Sequence, residues 1–343
     1  MSYTKTDWVV GVTAINATNL NNLETQYDSA IAELEERPAI GSFTGANGDT
    51  VIATNATATL PYYIAENFTV CAGVTLTLAY SPTLFLVRDT FNLKGIISAV
   101  GLGGAGGGTS TSAGGDGGGV VLVKTRSFTG TGTVNAYGGA GGTPTGYNGA
   151  IYGMGAPGQF ISIMTDGGRT GSAGSTGIGT GAVDGTLTQW GCLFPDWSNL
   201  VPGDIGGAGG GEGSGDNSSA YNYNHAGGGG AGCYGNGGMN NSAEVSASCT
   251  SGGGGGGGGA IIIHAHGPIT AVTLNAYGGA GGNGYISHGG NGGGGGIVNL
   301  VTTTSSATVN VAGGAAGTKG AGVAAIDGNA GSAGISKIIT MGD

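Results

Sequence analysis

His264 and His266 stand two apart in the run IIIHAH. On a strand that spacing puts both imidazoles on one face, where two nitrogens can begin a metal site. No third ligand lies near them in sequence, so the pair reads as a partly exposed stretch of a stacked strand, and neither a metal nor a cofactor is expected. His225 and His288 fall in glycine-rich stretches without a recognisable partner. Glycan cleavage needs a carboxylate pair about 5 to 10 Å apart. Asp166, Asp184, Asp196, Asp204, Glu212 and Asp216 supply candidates, but none forms a motif, and they read as solvated loop acids. Chance GxGxxG matches lack the strand, helix and downstream acid that nucleotide binding requires, and no GK[ST] follows a glycine loop. No catalytic residue emerges, and the chain is not expected to be an enzyme.

Rings on loops suggest recognition instead. The segment 143–255 holds Tyr147, Tyr152, Phe160, Trp190, Phe194, Trp197, Tyr221, Tyr223 and Tyr234, and every Trp except Trp8 lies in it. Aromatic side chains on glycine-rich loops give large contact area at low entropic cost. Tyr147, Trp190, Trp197, Tyr221, Tyr223, His225 and Tyr234 are therefore the candidate receptor-binding residues. Trp190 and Trp197 could equally form a small satellite core, whereas Tyr221, Tyr223 and His225, in the polar run NSSAYNYNH, are expected to be exposed.

The elements carrying these residues must be built from an unusual composition. Glycine supplies 83 of 343 residues, yet 38% of the chain is hydrophobic and only 8% charged, which is not the signature of disorder. Net charge is -10, from 19 acidic and 9 basic residues. With no basic footprint, nucleic acid and anionic membrane are excluded as partners. The N-terminus has no charged segment followed by an apolar one, and no apolar run is long enough to span a membrane, so synthesis in a cytoplasm is expected. Cys71, Cys192, Cys233 and Cys249 are too scattered for a disulfide scaffold; buried thiols are expected, with a Cys233–Cys249 bridge as the alternative.

Residues 1–40 contain most of the helix formers. Leu20, Leu23, Tyr27, Ala30 and Leu34 repeat at spacings of three and four, a heptad seam, with Asn19 as a cap and Pro38 as a stop. A helix of about 18 residues is too short to stand alone. Its seam is expected to mediate assembly, with copies of itself or by docking on the protein body. Residues 41–100 read as a β-rich connector, with strands near 51–53, 74–78 and 84–87.

Residues 101–343 read as a glycine-rich repeat domain with the recognition segment inserted. The nonapeptides VNAYGGAGG at 134–142 and LNAYGGAGG at 274–282 differ at one position. Strands are expected to start at Leu84, Val120, Ile261, Ile297 and Ile335, with steps of 36, 141, 36 and 38 residues. Such a period indicates units that bury their faces by stacking. The long step is close to four periods, and FISIM at 160–164 is expected to be a degenerate copy within it. Glycine tracts such as 227–230, 252–259 and 292–296 recur at a fixed place in the unit, which a flexible linker would not need. Side by side, chains without Cβ atoms can hydrogen-bond as polyglycine II-type helices, three residues per turn. The expected fold is mainly β, stacked strands with packed polyglycine II-type tracts and one short N-terminal helix.

Trp8, Gly11, Asn16, Ala17, Asn19, Leu20, Asn21 and Glu24, in DWVVGVTAINATNLNNLE, resemble the N-terminal segment of bacteriophage tail and baseplate proteins. The repeat body resembles the glycine-rich tips of phage tail fibres and adhesins. That resemblance implies a homotrimeric tail-tip protein of the virion, attached through its N-terminus to other tail or baseplate proteins and binding a bacterial surface polysaccharide or protein for host attachment. The sequence departs from ordinary fibres in having only a two-heptad helix and no long triple-stranded shaft. Two alternatives stay open, an extracellular glycine-helix structural or ice-binding protein and a polysaccharide depolymerase. An ice binder would need a flat, regular Thr or Ala face, and Thr is irregular in this sequence outside 302–304.

Overall fold

A computed structural model describes residues 48–101, 114–143, 251–285, 288–321 and 325–341, with the single positions Gly155, Gly229, Gly232, Cys233 and Gly237. The expected helix and its seam, Leu20, Leu23, Tyr27, Ala30 and Leu34, lie outside them. Among the described residues the regular structure is entirely β.

Three parallel sheets are visited in strict rotation. The first coil is β1 (Thr50–Ile52), β2 (Ala56–Ala58) and β3 (Tyr62–Ala65); the second is β4 (Phe68–Val70), β5 (Thr75–Leu78) and β6 (Thr83–Val87). β7 (Thr90–Leu93), β8 (Ile96–Ser98) and β9 (Val120–Thr125) form the third, and β10 (Ser127–Thr129), β11 (Thr133–Asn135) and β12 (Ala260–Ala265) the fourth. The last two coils keep β13 (Thr273–Asn275) with β14 (Ile297–Thr302), and β15 (Thr308–Asn310) with β16 (Ile335–Thr340). Their corner positions in the first sheet shrink to the single bridges Phe128–Ile269 and Ile269–Ser305. The resulting sheet orders are β1-β4-β7-β10, β2-β5-β8-β11-β13-β15 and β3-β6-β9-β12-β14-β16. Strands of the expected connector and of the glycine-rich segment thus belong to the same sheets.

The side-chain pattern explains this winding. The second sheet buries only its inner face, so its strands alternate, as in Thr133-Val134-Asn135, where Val134 is buried between two partly exposed polar residues. The third sheet is buried on both faces over β9, β12 and β14, and these strands read as nearly continuous apolar runs. Its inner residues Val121, Val123, Ile261, Ile263, Val298 and Leu300 join the main core. Its outer residues Leu84, Val120, Leu122, Ala260, Ile262 and Val301 form a second cluster that includes Cys233. At the centre of the first sheet Phe68, Phe91 and Phe128 stack in register, ring centroids 5.0 and 4.9 Å apart.

The strand starts expected from the repeat all fall in the third sheet, as neighbours. The reading of the 141-residue step is corrected. β9 pairs directly with β12 through six registered positions from Val120–Ala260 to Thr125–Ala265. No coil stands between them, so the step is one coil with a long excursion and not four periods. FISIM lies outside the described residues. The two nonapeptides, 140 positions apart, are stacked neighbours: β11 pairs β13, Asn275 Nδ2 donates to Asn135 Oδ1 at 3.0 Å, and the Tyr137 and Tyr277 rings stack nearly parallel with centroids 4.6 Å apart.

Glycine tracts occupy one corner, between the second and third sheets, in the third to sixth coils. They run out after β11, β13 and β15 and return before β9, β12, β14 and β16. Outgoing and returning tracts are antiparallel and bonded at every third residue: Gly253, Gly256 and Gly259 N–H groups donate to Gly142, Gly139 and Ala136 carbonyls at 2.7 to 2.9 Å. Returning tracts run parallel to one another, with Gly252, Gly255 and Gly258 donating to His288, Asn291 and Gly294. The contacts leave no room for side chains. A Cβ at Gly256 would overlap the Asp116 carbonyl, and one at Gly293 would overlap that of Gly256.

Candidate functional site

The candidate receptor-binding residues Tyr147, Trp190, Trp197, Tyr221, Tyr223, His225 and Tyr234 lie outside the described residues, as do Asp166, Asp184, Asp196, Asp204, Glu212 and Asp216. The structure does describe where the recognition segment leaves and rejoins the scaffold. Gly253 N–H donates to the Gly142 carbonyl at 2.9 Å, so both ends of the excursion meet where the glycine tracts turn. The turns of the next two coils lie beside them. Asn283 N–H donates to Thr143 Oγ1 at 3.0 Å, Thr318 N–H donates to Asn283 Oδ1 at 2.9 Å, and Lys319 N–H donates to Asp327 Oδ1 at 2.8 Å. These short polar side chains take up amides that the tract ends cannot pair internally. Tyr285, 44% exposed, stands on this rim.

The histidines are placed differently from expectation. His264 is buried at 4% exposure and only His266 is exposed; their rings are 5.0 Å apart. The partly exposed pair is therefore corrected to one buried and one exposed ring, because the outer face of the third sheet is itself covered. His288 is also corrected. It is buried, and its Nδ1 accepts from the Ile326 N–H at 3.0 Å, which ties two coils together. No group of three or more His, Cys, Asp or Glu suited to a metal occurs among the described residues. Cys233 is fully buried, which pushes its thiol far above the usual range, and Cys71 is half-buried; Cys192 and Cys249 lie outside the described residues.

Two surfaces escaped sequence reasoning. The outer face of the second sheet carries registered rows. One runs Thr75, Ile96, Thr133, Thr273, Thr308; the other Thr57, Thr77, Ser98, Asn135, Asn275, Asn310. No member of either row is charged. The irregularity of Thr in the sequence is thus corrected in space, since coils of unequal length bring the same position into line. The recurring T-V/L-N triplets at 133–135, 273–275 and 308–310 were the available signal. The second surface is the corner after the third sheet, where Lys124, Arg126 and His266 meet. Burial first, then the Lys124 and Arg126 charges, hold the His266 pKa below its ordinary value.

Comparison of the chain with known protein families, curated proteins and solved structures finds no match.

Proposed function

We propose that this chain is a bacteriophage tail-tip adhesin that binds a bacterial surface polysaccharide or protein, carried in the virion and made in the host cytoplasm. On this reading residues 1–40 attach it to tail or baseplate proteins and assemble a homotrimer through Leu20, Leu23, Tyr27, Ala30 and Leu34, and no catalysis is involved. The observation that carries the reading is the meeting of the ends of the 143–255 segment, Gly142 with Gly253, on a rim where neighbouring turns also gather. A rigid stack that delivers a ring-rich segment to one edge separates scaffold from site, as recognition proteins do. The tracts behind the rim are read as polyglycine II-type helices, supported by donors recurring at every third residue between neighbouring chains.

The test is retention of labelled protein by a panel of bacterial isolates. Retention by a subset of isolates, weakened about thirtyfold by Tyr221→Ala with Tyr223→Ala, is expected, since truncating central aromatics at an interface costs about 2 kcal/mol. Retention by none of the isolates, or full retention of the folded double variant, would count against the proposal.

One observation favours a second reading, an ice-binding protein. The Thr row and the Thr/Asn row form a charge-free array with spacings of about 4.8 Å between coils and about 6.6 Å along a strand. Arrest of ice growth by the protein, abolished by Thr273→Lys, is the expected result on that reading; freezing indistinguishable from a control protein would remove it.

A further inference from the structure

The second sheet ends on a step in an aromatic ladder. The fourth and fifth coils carry the same residues past their second-sheet strands, Asn135-Ala136-Tyr137 and Asn275-Ala276-Tyr277, whereas the sixth reads Asn310-Val311-Ala312. Lateral backbone bonds continue beyond the strands and keep these positions in line. Gly138 N–H donates to the Tyr277 carbonyl at 3.0 Å, and Gly278 N–H donates to the Ala312 carbonyl at 2.9 Å. Tyr137, Tyr277 and Ala312 therefore form one row on three successive coils. The first two members stack, with centroids 4.6 Å apart and planes 6° from parallel, close to the spacing of about 4.8 Å between neighbouring strands. The third member is a methyl group. β15 is the last strand of the sheet, and among the described residues no ring packs on the Tyr277 face turned toward the sixth coil.

The step forms a shelf. Its wall is the half-buried Tyr277 ring, and its floor is the exposed Ala312, with the exposed Ala315 three residues further along the tract. Amides flank it on the strand side. Asn275 Nδ2 donates to Asn135 Oδ1 at 3.0 Å, which leaves Asn275 Oδ1 outside that bond. Asn310 Oδ1 accepts from the Ala312 N–H at 3.2 Å, which leaves Asn310 Nδ2 outside it. One acceptor and one donor thus stand two residues, about 6.6 Å along a strand, from the ring and the methyl group. The shelf carries no charge at neutral pH, since burial, and then the neighbouring Tyr137, hold the Tyr277 pKa above its ordinary value.

The geometry points to a binding site for a neutral hexopyranose unit on this shelf, stacked on Tyr277 over Ala312. A pyranose has a C–H face that packs on an aromatic ring and edge hydroxyls that both donate and accept. With that face on Tyr277, the sugar occupies the place in the ladder where the sixth coil has no ring. Its edge hydroxyls then donate to Asn275 Oδ1 and accept from Asn310 Nδ2. A purely aromatic ligand would fit the same gap but would turn an apolar edge to both amides, and an anion would need a cation that these residues do not supply. The shelf uses no residue of 143–255, so the inference does not rest on the adhesin reading.

The experiment follows the Tyr277 ring by NMR in the full-length protein with isotope-labelled tyrosine, its signal identified by its loss in Tyr277→Leu. Methyl glycosides of glucose, galactose and mannose are added separately to about 50 mM, above the millimolar Kd expected of one ring on an open shelf. The expected result is a saturable shift of the Tyr277 signal with at least one glycoside and none with glycerol at the same concentration. Ala312→Leu, a change at an exposed position that keeps both rings but fills the shelf, is expected to abolish the shift. Tyr221→Ala with Tyr223→Ala is expected to preserve it. A Tyr277 signal unmoved by all three glycosides, or a shift unchanged in Ala312→Leu, would overturn the proposal. Shifts confined to tyrosines of 143–255 would also overturn it while supporting the adhesin reading.

Discussion

Phe91 is fully buried between Phe68 and Phe128, and Phe85 meets it edge-on at 5.5 Å. Each ring belongs to a different strand, so one side chain links several coils. Phe91→Ala is expected to cost about 3 to 5 kcal/mol, read as a lower urea midpoint with unchanged slope. His266 behaves differently, because its effect comes from its ionisation, which partial burial of the ring and then the Lys124 and Arg126 charges disfavour. Its pKa is lowered in the folded protein, so the unfolded chain binds the extra proton first. The stabilising contribution of neutral His266 is therefore present above the ordinary imidazole pKa of about 6.5 and is lost as pH falls below it. A small rise in unfolding temperature between acid and neutral pH is expected, reduced in His266→Gln; a fall over that interval would contradict the assignment.

The returning tract 251–259 has neighbours on several sides. It donates to 136–142 and to 288–294, accepts from Gly115, Gly118, Gly279 and Gly282, and takes the Cys233 N–H on the Gly258 carbonyl at 2.9 Å. Glycine loses more entropy on ordering than any other residue, and here the loss is offset by a lateral bond at most positions and by close approach of backbones. Two consequences follow from that packing. The amides of Gly252, Gly253, Gly255, Gly256, Gly258 and Gly259 are expected to exchange far more slowly than in a free peptide; free-peptide rates would refute an ordered bundle. Gly256→Ala must displace the Asp116 carbonyl, which is backbone, and is expected to destabilise by about 1 to 3 kcal/mol or more. Gly73→Ala, with no atom within 4 Å of the added carbon but φ at +76°, is expected to cost about 1 kcal/mol through backbone strain alone.

Across the whole stack, each coil is stabilised by the coils on either side, so position along the axis governs the cost of a change. Ile263 on β12 is fully buried, with paired strands on both sides, whereas Ile338 on the last strand β16 is 51% exposed. Ile263→Ala is expected to cost about 2 to 5 kcal/mol and Ile338→Ala less than about 1 kcal/mol, compared by urea denaturation. Equal costs would mean that stability is not passed from coil to coil.

Local alternation and composition were legible before any coordinates. Val120, Ile261 and Ile297 announced apolar strands because a strand buried on both faces needs consecutive apolar residues, and the 36-residue steps marked coils of equal length. The fixed place of glycine in each unit indicated where chains must approach closely. What the sequence could not contain was which strand lies beside which when coil lengths differ. The β9–β12 pairing spans an excursion of more than a hundred residues, and hydrogen-bond register, not chain distance, aligns Thr133 with Thr273 and Lys124 with His264. Side-chain periodicity is set within a strand by the pleat and leaves its mark on neighbouring residues. Lateral neighbours are chosen by backbone bonds between coils, which any length of intervening chain can satisfy, so the polar rows and the basic corner came into being only with the tertiary structure.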